Sequence, residues 1–600
     1  MSTATGDRLG LTLLYQQCVN ICDEMALAMM RTAYSPIFSE GLDFSTMLLD
    51  ANGELLAMAG INPAMLGASL YAPKWIVTEV GRESFGEGDV YVHNDPYRGG
   101  SHIPEHLVVT PVFHDGEIQA FVGAIAHWVE VGGMAPGSFA ATAEDIYQEG
   151  LRLPPVRLFR AGEPVEDVWK IVLANHRTPN TTWGDMNAMI GSLNVGVRRL
   201  RQLFEERGLA TVLASFPLLQ DYAEEWLREQ IRALPDGEYT GEDCMEDDGL
   251  GDRPYWVRLR IVVEGDEMIF DFSQSDPQAQ GPINAPYVVT VSGALNGFLL
   301  LLSPQERAPV NAGSTRPVWV VAPPGTITNV RLPGACVAGQ TEVQNRILEL
   351  VGRALAPVAP ERAAAAAGGT SMNFLFGGVH PATGEYYAHY HFEGNGWGGR
   401  AAADGNDAQI VPHGNCRNTP VEVFETRYPW RHVEYALNAD TGGAGRFRGG
   451  LGIRRTLRFV GDSIRISALA DRMKRPPGGI FGGADGHPSG LELRRSGEPE
   501  FRTFQDVFRT VSPSKFVNVR LHEGDEVRIT SPSGGGYGDP LERDPELVAL
   551  DVREGFVSRE SARAQYGIEL TAAGGVDRAG TTESRRRLRG DVGADREALE

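Results

Sequence analysis

Lysine is almost missing from this chain. Lys74, Lys170, Lys474 and Lys515 are the only four among 600 residues, and arginine carries nearly all the positive charge. Positive charge is itself in deficit, with a formal net charge of −23, which argues against a nucleic-acid partner, since such proteins present a basic face to phosphates. Cysteine is scarce and scattered at Cys18, Cys22, Cys244, Cys336 and Cys416. An odd count without any C-x-x-C argues against a disulfide framework and a thiolate zinc site, and favours reduced, mostly buried thiols. No apolar run approaches the ~18 residues of a membrane-spanning helix. The start, MSTATGDRLG, has no basic region followed by an apolar stretch, so no secretory signal is expected and the cytoplasm is the expected location. Two catalytic signatures are also missing: there is no G-x-x-x-x-G-K-[ST] phosphate loop and no G-x-S-x-G nucleophile elbow.

What is present describes a globular protein of several domains. Apolar residues make up 42% and charged residues 22%, ordinary globular values, and the length calls for roughly two to four cores. The 72 glycines and 37 prolines imply many turns. The expected class is α+β, with mixed helices and antiparallel hairpins first and a β-rich, glycine-loop-rich half after them. Four regions are expected: 1–235, α+β; 236–367, central α/β; 368–540, β-rich; and 541–600, a helical tail that loosens beyond Thr571. Helical spacing covers Leu11–Thr32, Ala64–Val80 with a break or kink at Pro73, Asp167–Phe216 interrupted near Pro179, Val288–Leu302 and Glu342–Ala356. Asn52-Gly53 and Gly265 mark hairpin turns. Asp544 and Ser558 are expected N-caps of two helices in the tail. The acidic run Glu242–Asp248 reads as a solvated face, and Arg362–Gly369 as a linker or helix end. Gly394–Gly399 neither follows a clear strand nor opens a helix, so it carries no dinucleotide fingerprint.

The stretch Tyr91–Met134 organises the rest. Apolar runs Leu107–Phe113 and Ile118–Ile125 flank Asp115-Gly116, a pair suited to the positive φ angles of a type I′ turn, so the segment reads as a β-hairpin. With Asp115 and Gly116 at the turn, Glu105 lies opposite Ala126 and His127 opposite Pro104. The hairpin therefore carries His102, Glu105 and His106 to the neighbourhood of His127 and Glu130. Two imidazoles and a carboxylate form a divalent-metal site with open positions, able to activate water or polarise a carbonyl. The alternative is that these are ordinary hydrogen-bonded residues at strand ends. Asn94-Asp95-Pro96-Tyr97 forms a turn beside His102, read either as an Asx turn or as part of the site. Asn415–Pro420 with Glu422, Glu425 and Arg427 reads as a charge-paired structural loop, the alternative being a nucleophilic Cys416 near His413.

Several long motifs carry a resemblance. RTAYSP (31–36), NDPYRGGSHIPE (94–105), AHWVEVGGMAPGS (126–138), GNCRNTPVEV with ETRYP (414–429), GGAGRFRGGLGI (442–453) and GGGYGDPLERDPELVALDVREG (534–555) resemble the hydantoinase B/oxoprolinase family, related to acetone and acetophenone carboxylase subunits. The resemblance implies one subunit of a two-component, ATP-dependent hetero-oligomer. A hydantoinase A-like partner uses ATP to phosphorylate the substrate, and this chain completes hydrolysis of a cyclic amide of the hydantoin or 5-oxoproline type. It implies a divalent transition metal (manganese, zinc or iron) on His102, Glu105 and His127, with Glu130 or Asp95 as general base. Glu105 and Glu130 stand where Asp is usual in the family, and Trp128 where a second His is common. An ATP-dependent ketone carboxylase subunit and a non-catalytic scaffold subunit are the alternatives.

Overall fold

The computed structural model describes residues 4–302 and 309–590. Residues 591–600 of the expected tail lie outside it. Helices and mainly antiparallel sheets alternate along the chain, the α+β class expected, and no described helix is long and apolar enough to cross a membrane.

The first sheet has seven strands: β1 (Phe44–Asp50), β2 (Leu55–Met58), β3 (Val90–His93), β4 (Glu105–His114), β5 (Glu117–His127), β6 (Val156–Arg160) and β7 (Glu163–Pro164). They lie in the order β2-β1-β5-β4-β3-β6-β7, so the expected β4–β5 hairpin is its centre. Asp115 and Gly116 have φ of 52° and 81°, as a type I′ turn requires. Near the turn the register is the expected one, with His114 opposite Glu117 and Phe113 opposite Ile118. Gln119 then forms a bulge, and from Val112↔Ala120 onward the pairing is displaced by one residue, ending with Glu105 opposite His127. One extra residue in one strand shifts every later pair. That shift corrects the expected Glu105–Ala126 pairing and sets Glu105 and His127 side by side on one face.

Helices Ala4–Thr32 and Pro179–Arg207 pack together beside this sheet. Helix Leu66–Val80 passes through Pro73 without ending, and the Asp167–Phe216 region resolves into helices Glu166–Asn175, Pro179–Arg207 and Leu209–Arg232. A four-stranded sheet follows, with β8 (Gly237–Met245), β9 (Tyr255–Glu264), β10 (Glu267–Asp271) and β11 (Val318–Val321) in the order β11-β10-β9-β8. One apolar core runs from Leu14 through both sheets to helix Gln344–Leu355. Two further antiparallel sheets, between Asn373 and Thr530, close over a second core that includes Phe374, Phe376, Trp430 and Ile466.

Three expectations are overturned. The acidic run is not a solvated face: Asp243, Glu246, Asp247 and Asp248 are buried. Partners make this tolerable: Arg472 lies 2.8 Å from Asp243, the amides of Met473, Lys474 and Arg475 donate to Glu246, and Lys515 approaches Asp247 at 3.4 Å. Arg362–Gly369 is not a linker, because Ala363, Ala365 and Ala366 are buried and the segment forms backbone hydrogen bonds to Gly399, Gly478 and Gly535. The tail beyond Thr571 is not loose as far as Gly590, since helix Arg578–Leu588 is docked by Arg585, which donates to the carbonyls of Tyr566 and Arg543. Asp544 and Ser558 do cap their helices.

The glycine loops are not loops in the usual sense. Extended segments around Gly396, Gly443, Gly450, Gly479 and Gly534 pack side by side and bond main chain to main chain. Gly450 N–H donates to Trp397 (2.7 Å), Gly534 N–H to Gly450 (2.9 Å) and Gly536 N–H to Ala484 (2.8 Å). A Cβ on Gly534 would stand 1.9 Å from the Trp397 carbonyl oxygen, and one on Gly396 1.8 Å from that of Gly450. Only glycine lets backbones approach so closely.

Candidate active site

The turn 94–104 is fixed before any side chain reaches the site. Asn94 Nδ2 donates to the carbonyls of Ile103 (2.8 Å) and Leu151 (3.0 Å), and its Oδ1 accepts from Leu153 N–H (2.6 Å). Asp95 Oδ1 accepts from Tyr97 N–H (3.0 Å), and its second oxygen faces Arg152 (3.4 Å) and Arg98 (3.7 Å). His106 Nδ1 donates to Pro104 O (3.1 Å), its Nε2 lies 3.1 Å from Asn94 Nδ2, and its ring stacks on Trp128 with 3.6 Å between centroids. Asp95 and His106 therefore serve the turn. Trp128 in turn donates from Nε1 to Met189 Sδ (3.3 Å) and so packs against helix Pro179–Arg207. It is not among the residues lining the cavity described next.

On the other face His102, Glu105 and His127 line one cavity of about 40 Å³ together with Asp43, Gln340, Tyr390, His413 and Cys416. The His102 and His127 rings stand edge to face with centroids 5.2 Å apart. His102 Nδ1 donates to Val337 O (3.2 Å), which fixes the tautomer and leaves the Nε2 lone pair without a partner. Neither nitrogen of His127 has a hydrogen-bond partner, and its ring stacks on Tyr390 at 4.5 Å. Burial holds both imidazoles neutral, moving His102 down to about 3 and His127 well below its ordinary value. Glu105 accepts from Ser101 Oγ and from Gln340 Nε2 (2.6 Å). Burial pushes its carboxyl up to about 8, opposed by the Ser101 hydrogen bond and reinforced by the Asp43 charge. Burial likewise lifts Asp43 to about 7, against a 2.7 Å hydrogen bond from Asn62.

The structure therefore brings together His102, Glu105 and His127 and leaves Glu130 and Asp95 outside. Glu130 is fully buried and held by Arg177 (2.8 Å) and by the amides of Gly132 (2.6 Å) and Gly137 (3.2 Å). It fastens the loop after β5. Cys416 lines the cavity, but burial raises its thiol well above the ordinary range, the reverse of an activated nucleophile. Asp43, Asn62, Gln340 and Tyr390 are not marked by the sequence pattern. Asp43 immediately precedes β1, and its carbonyl accepts from His127 N–H (3.0 Å). Gln340 lies in a π-helical turn, Gly339–Val343, a feature frequent at functional sites but without a sequence mark here.

Among the described residues no three His, Cys, Asp or Glu side chains already stand in a metal-holding arrangement. Glu105 is turned toward Ser101 and Gln340. The donor set nonetheless fits a divalent ion. A buried polar atom without a partner carries a cost, and here four imidazole nitrogens of that kind (His102 Nε2, both nitrogens of His127 and His413 Nδ1) belong to rings lining a cavity that also contains two carboxyl groups. Imidazole with carboxylate suits zinc, iron or manganese.

The sequence and the fold belong to one class of protein. The hydantoinase B/oxoprolinase family model matches residues 7–540, and the chain is a member of that family. More particularly, it is 32% identical over 582 residues to a protein from Pseudomonas sp. assigned as the B component of a D-/L-hydantoinase, covering 94% of this chain and 96% of that one. The crystal structure of ATP-dependent caprolactamase from Pseudomonas jessenii superposes with a TM-score of 0.87 at 30% identity, over 96% of this chain and 99% of that one. A nucleotide-free acetone carboxylase structure shares the fold, with a TM-score of 0.86 at 20% identity over 97% and 83% of the two chains.

Proposed function

We propose that this chain is the metal-binding subunit of a two-component ATP-dependent enzyme that hydrolyses a cyclic amide. Its substrate is phosphorylated on the amide oxygen by a hydantoinase A-like partner in a hetero-oligomer. The observation that carries the reading is the pair of buried imidazoles with unpartnered nitrogens, sharing one cavity with Glu105. The names of the relatives, hydantoinase and caprolactamase, supply the reaction class. Five free cysteines suit a reducing compartment such as the cytoplasm.

His102, His127 and Glu105 would hold a divalent ion, which when bound acidifies water and polarises an oxygen. The chain's own residues do the rest. Val337 fixes the His102 tautomer and Gln340 steadies Glu105. Asp43, on the cavity wall, accepts and returns the protons. Water adds to the carbon that bears the phosphorylated oxygen, the ring C–N bond breaks as nitrogen takes a proton, and a second water releases phosphate from the resulting acyl phosphate.

Elemental analysis of the purified chain beside His102→Ala and His127→Ala tests the site. About one manganese, zinc or iron per chain, lost in both variants, is expected. A folded wild type that cannot be loaded with any of the three overturns the reading and favours a scaffold role. Assay with the partner and ATP tests the reaction, and turnover of a ketone with bicarbonate in place of cyclic amides would assign a carboxylase instead.

A further inference from the structure

We propose that a second cavity, at the N-terminus of helix Pro179–Arg207, is a binding site for a small organic phosphate. It measures about 310 Å³, at the lower end of the range of small-molecule sites, and shares no lining residue with the cavity at His102 and His127. Two motifs that carry the family resemblance, RTAYSP (31–36) and ETRYP (425–429), meet there without serving the candidate active site. Tyr34, Ser35 and Pro36 come from the first, and Thr426, Arg427 and Tyr428 from the second. The helix ties them together. Asp185 Oδ1 accepts from the amides of Tyr34 (2.9 Å) and Ser35 (3.0 Å), and Arg427 donates to the Tyr34 carbonyl (3.0 Å). A Cβ on Gly184 would stand 2.1 Å from the Tyr34 ring, so glycine there lets the ring lie directly on the helix.

The cavity offers donors that lack acceptors. Thr178 is the N-cap of the helix, yet its side chain makes no capping bond. It is only 7% exposed, lines the cavity, and its hydroxyl has no hydrogen-bond partner. An unused cap leaves the amides of the first turn open; Pro179 has no N–H, and those of Asn180 and Thr181 remain. Tyr387 lines the same space, its hydroxyl likewise buried and unpartnered. Arg427 adds a guanidinium that forms no ion pair among the described residues. Amides at a helix start, hydroxyls and a guanidinium together are the donors that hold a phosphate, and the dipole of this 29-residue helix favours its charge. Glu385, the one carboxylate among the described lining residues, is exposed to water, where its charge is screened. The half-exposed ring of Tyr34 and that of Tyr386 give an organic body an aromatic surface to lie on.

Isothermal titration of the full chain, freed of metal by a chelator, tests the site with phenyl phosphate, inorganic phosphate and phenol. Phenyl phosphate is expected to bind, inorganic phosphate about five-fold more weakly for want of the ring contact, and phenol not at all. Thr178→Asp keeps a good N-cap but sets a carboxylate where the phosphate lies, so binding should vanish with Tm retained. Arg427→Gln, at an exposed residue, should weaken binding about ten-fold by removing one charge-assisted contact, and serves if Thr178→Asp does not fold. His102→Ala should bind as the wild type does. No detectable binding of either phosphate, phenol binding as tightly as phenyl phosphate, or wild-type affinity in a folded Thr178→Asp or Arg427→Gln overturns the inference. Loss of binding in His102→Ala overturns it too, by moving the phosphate to the other cavity. The site does not rest on the hydrolase reading, whose failure shows in metal content and ring opening instead.

Discussion

At the β4–β5 hairpin, side chains settle the structure, and the backbone does little more than carry them. His106 stacks on Trp128 on one face while Glu105 and His127 are set side by side on the other. In the glycine bundle the backbone is both the packing surface and the bonding partner, with Gly534 resting on the Trp397 carbonyl and its N–H bonded to Gly450. The hairpin leaves imidazole nitrogens unpartnered, as a ligand site does, whereas the bundle pairs main chain with main chain. Tolerance of change follows from this: a site made of side chains loses function when one is trimmed, and a bundle made of backbone loses its fold when one atom is added.

The severest challenge to that contrast is Gly534→Ala. The added Cβ would lie 1.9 Å from Trp397 O and 2.2 Å from its carbonyl carbon, so neighbouring segments must part. We expect a loss above about 4 kcal/mol, the range of gross steric or network failure, seen as insoluble protein or a collapsed Tm. A soluble variant with wild-type Tm would show that the bundle is looser than its hydrogen bonds indicate.

Gln340→Ala probes the hairpin side. It removes the donor 2.6 Å from Glu105 Oε1 and leaves the bundle untouched. Outer partners of metal ligands are worth roughly 10–100-fold in metal affinity, so metal affinity is expected to fall by about that factor with Tm nearly unchanged. An unchanged affinity in competition with a chelator would exclude Glu105 as a ligand steadied by Gln340.

Legibility divides along the same line. His102, Glu105 and His127 are findable because a turn dipeptide and two apolar runs define a hairpin, and a hairpin brings distant residues together by arithmetic. The Gln119 bulge is not, since nothing in EIQAFV marks an extra residue, and it decides which face His127 takes. Asp43, Gln340 and Tyr390 reach the cavity from three separate parts of the chain through tertiary packing alone. The glycine segments escape for a different reason: hydrophobic periodicity reports side chains, and these segments pack without them. The run Glu242–Asp248 misleads because its partners, Arg472, Met473, Lys474, Arg475 and Lys515, lie more than two hundred residues away.

Glu149 tests whether buried carboxyls behind the site shape stability. Its Oε1 accepts from Cys336 N–H (2.6 Å) and Val337 N–H (2.8 Å), positioning the carbonyl that holds His102. Burial raises its carboxyl from 4.5 to about 8. A raised acid binds its proton more tightly when folded, so its contribution is full below about 4.5 and is lost as pH rises toward about 8. The slope approaches about 1.4 kcal/mol per pH unit within that window. Glu149→Gln keeps the accepting oxygen and removes the titration, so its Tm should fall less than that of wild type between pH 6 and pH 8 (about the window's upper half). Parallel Tm–pH curves would show that Glu149 does not titrate there.

The smallest change reverses the sign of the glycine effect. Gly191 sits within helix Pro179–Arg207, exposed, and a Cβ there meets nothing within 4 Å. Glycine in a helix interior is less favourable than alanine by about 0.8–1 kcal/mol, partly because the unfolded chain gains freedom. Gly191→Ala should therefore stabilise the chain by somewhat under about 1 kcal/mol, read as a small rise in denaturant midpoint with unchanged metal content. Destabilisation instead would mean that this helix face is packed within the chain, and glycine would then be required there for the reason it is required at Gly534.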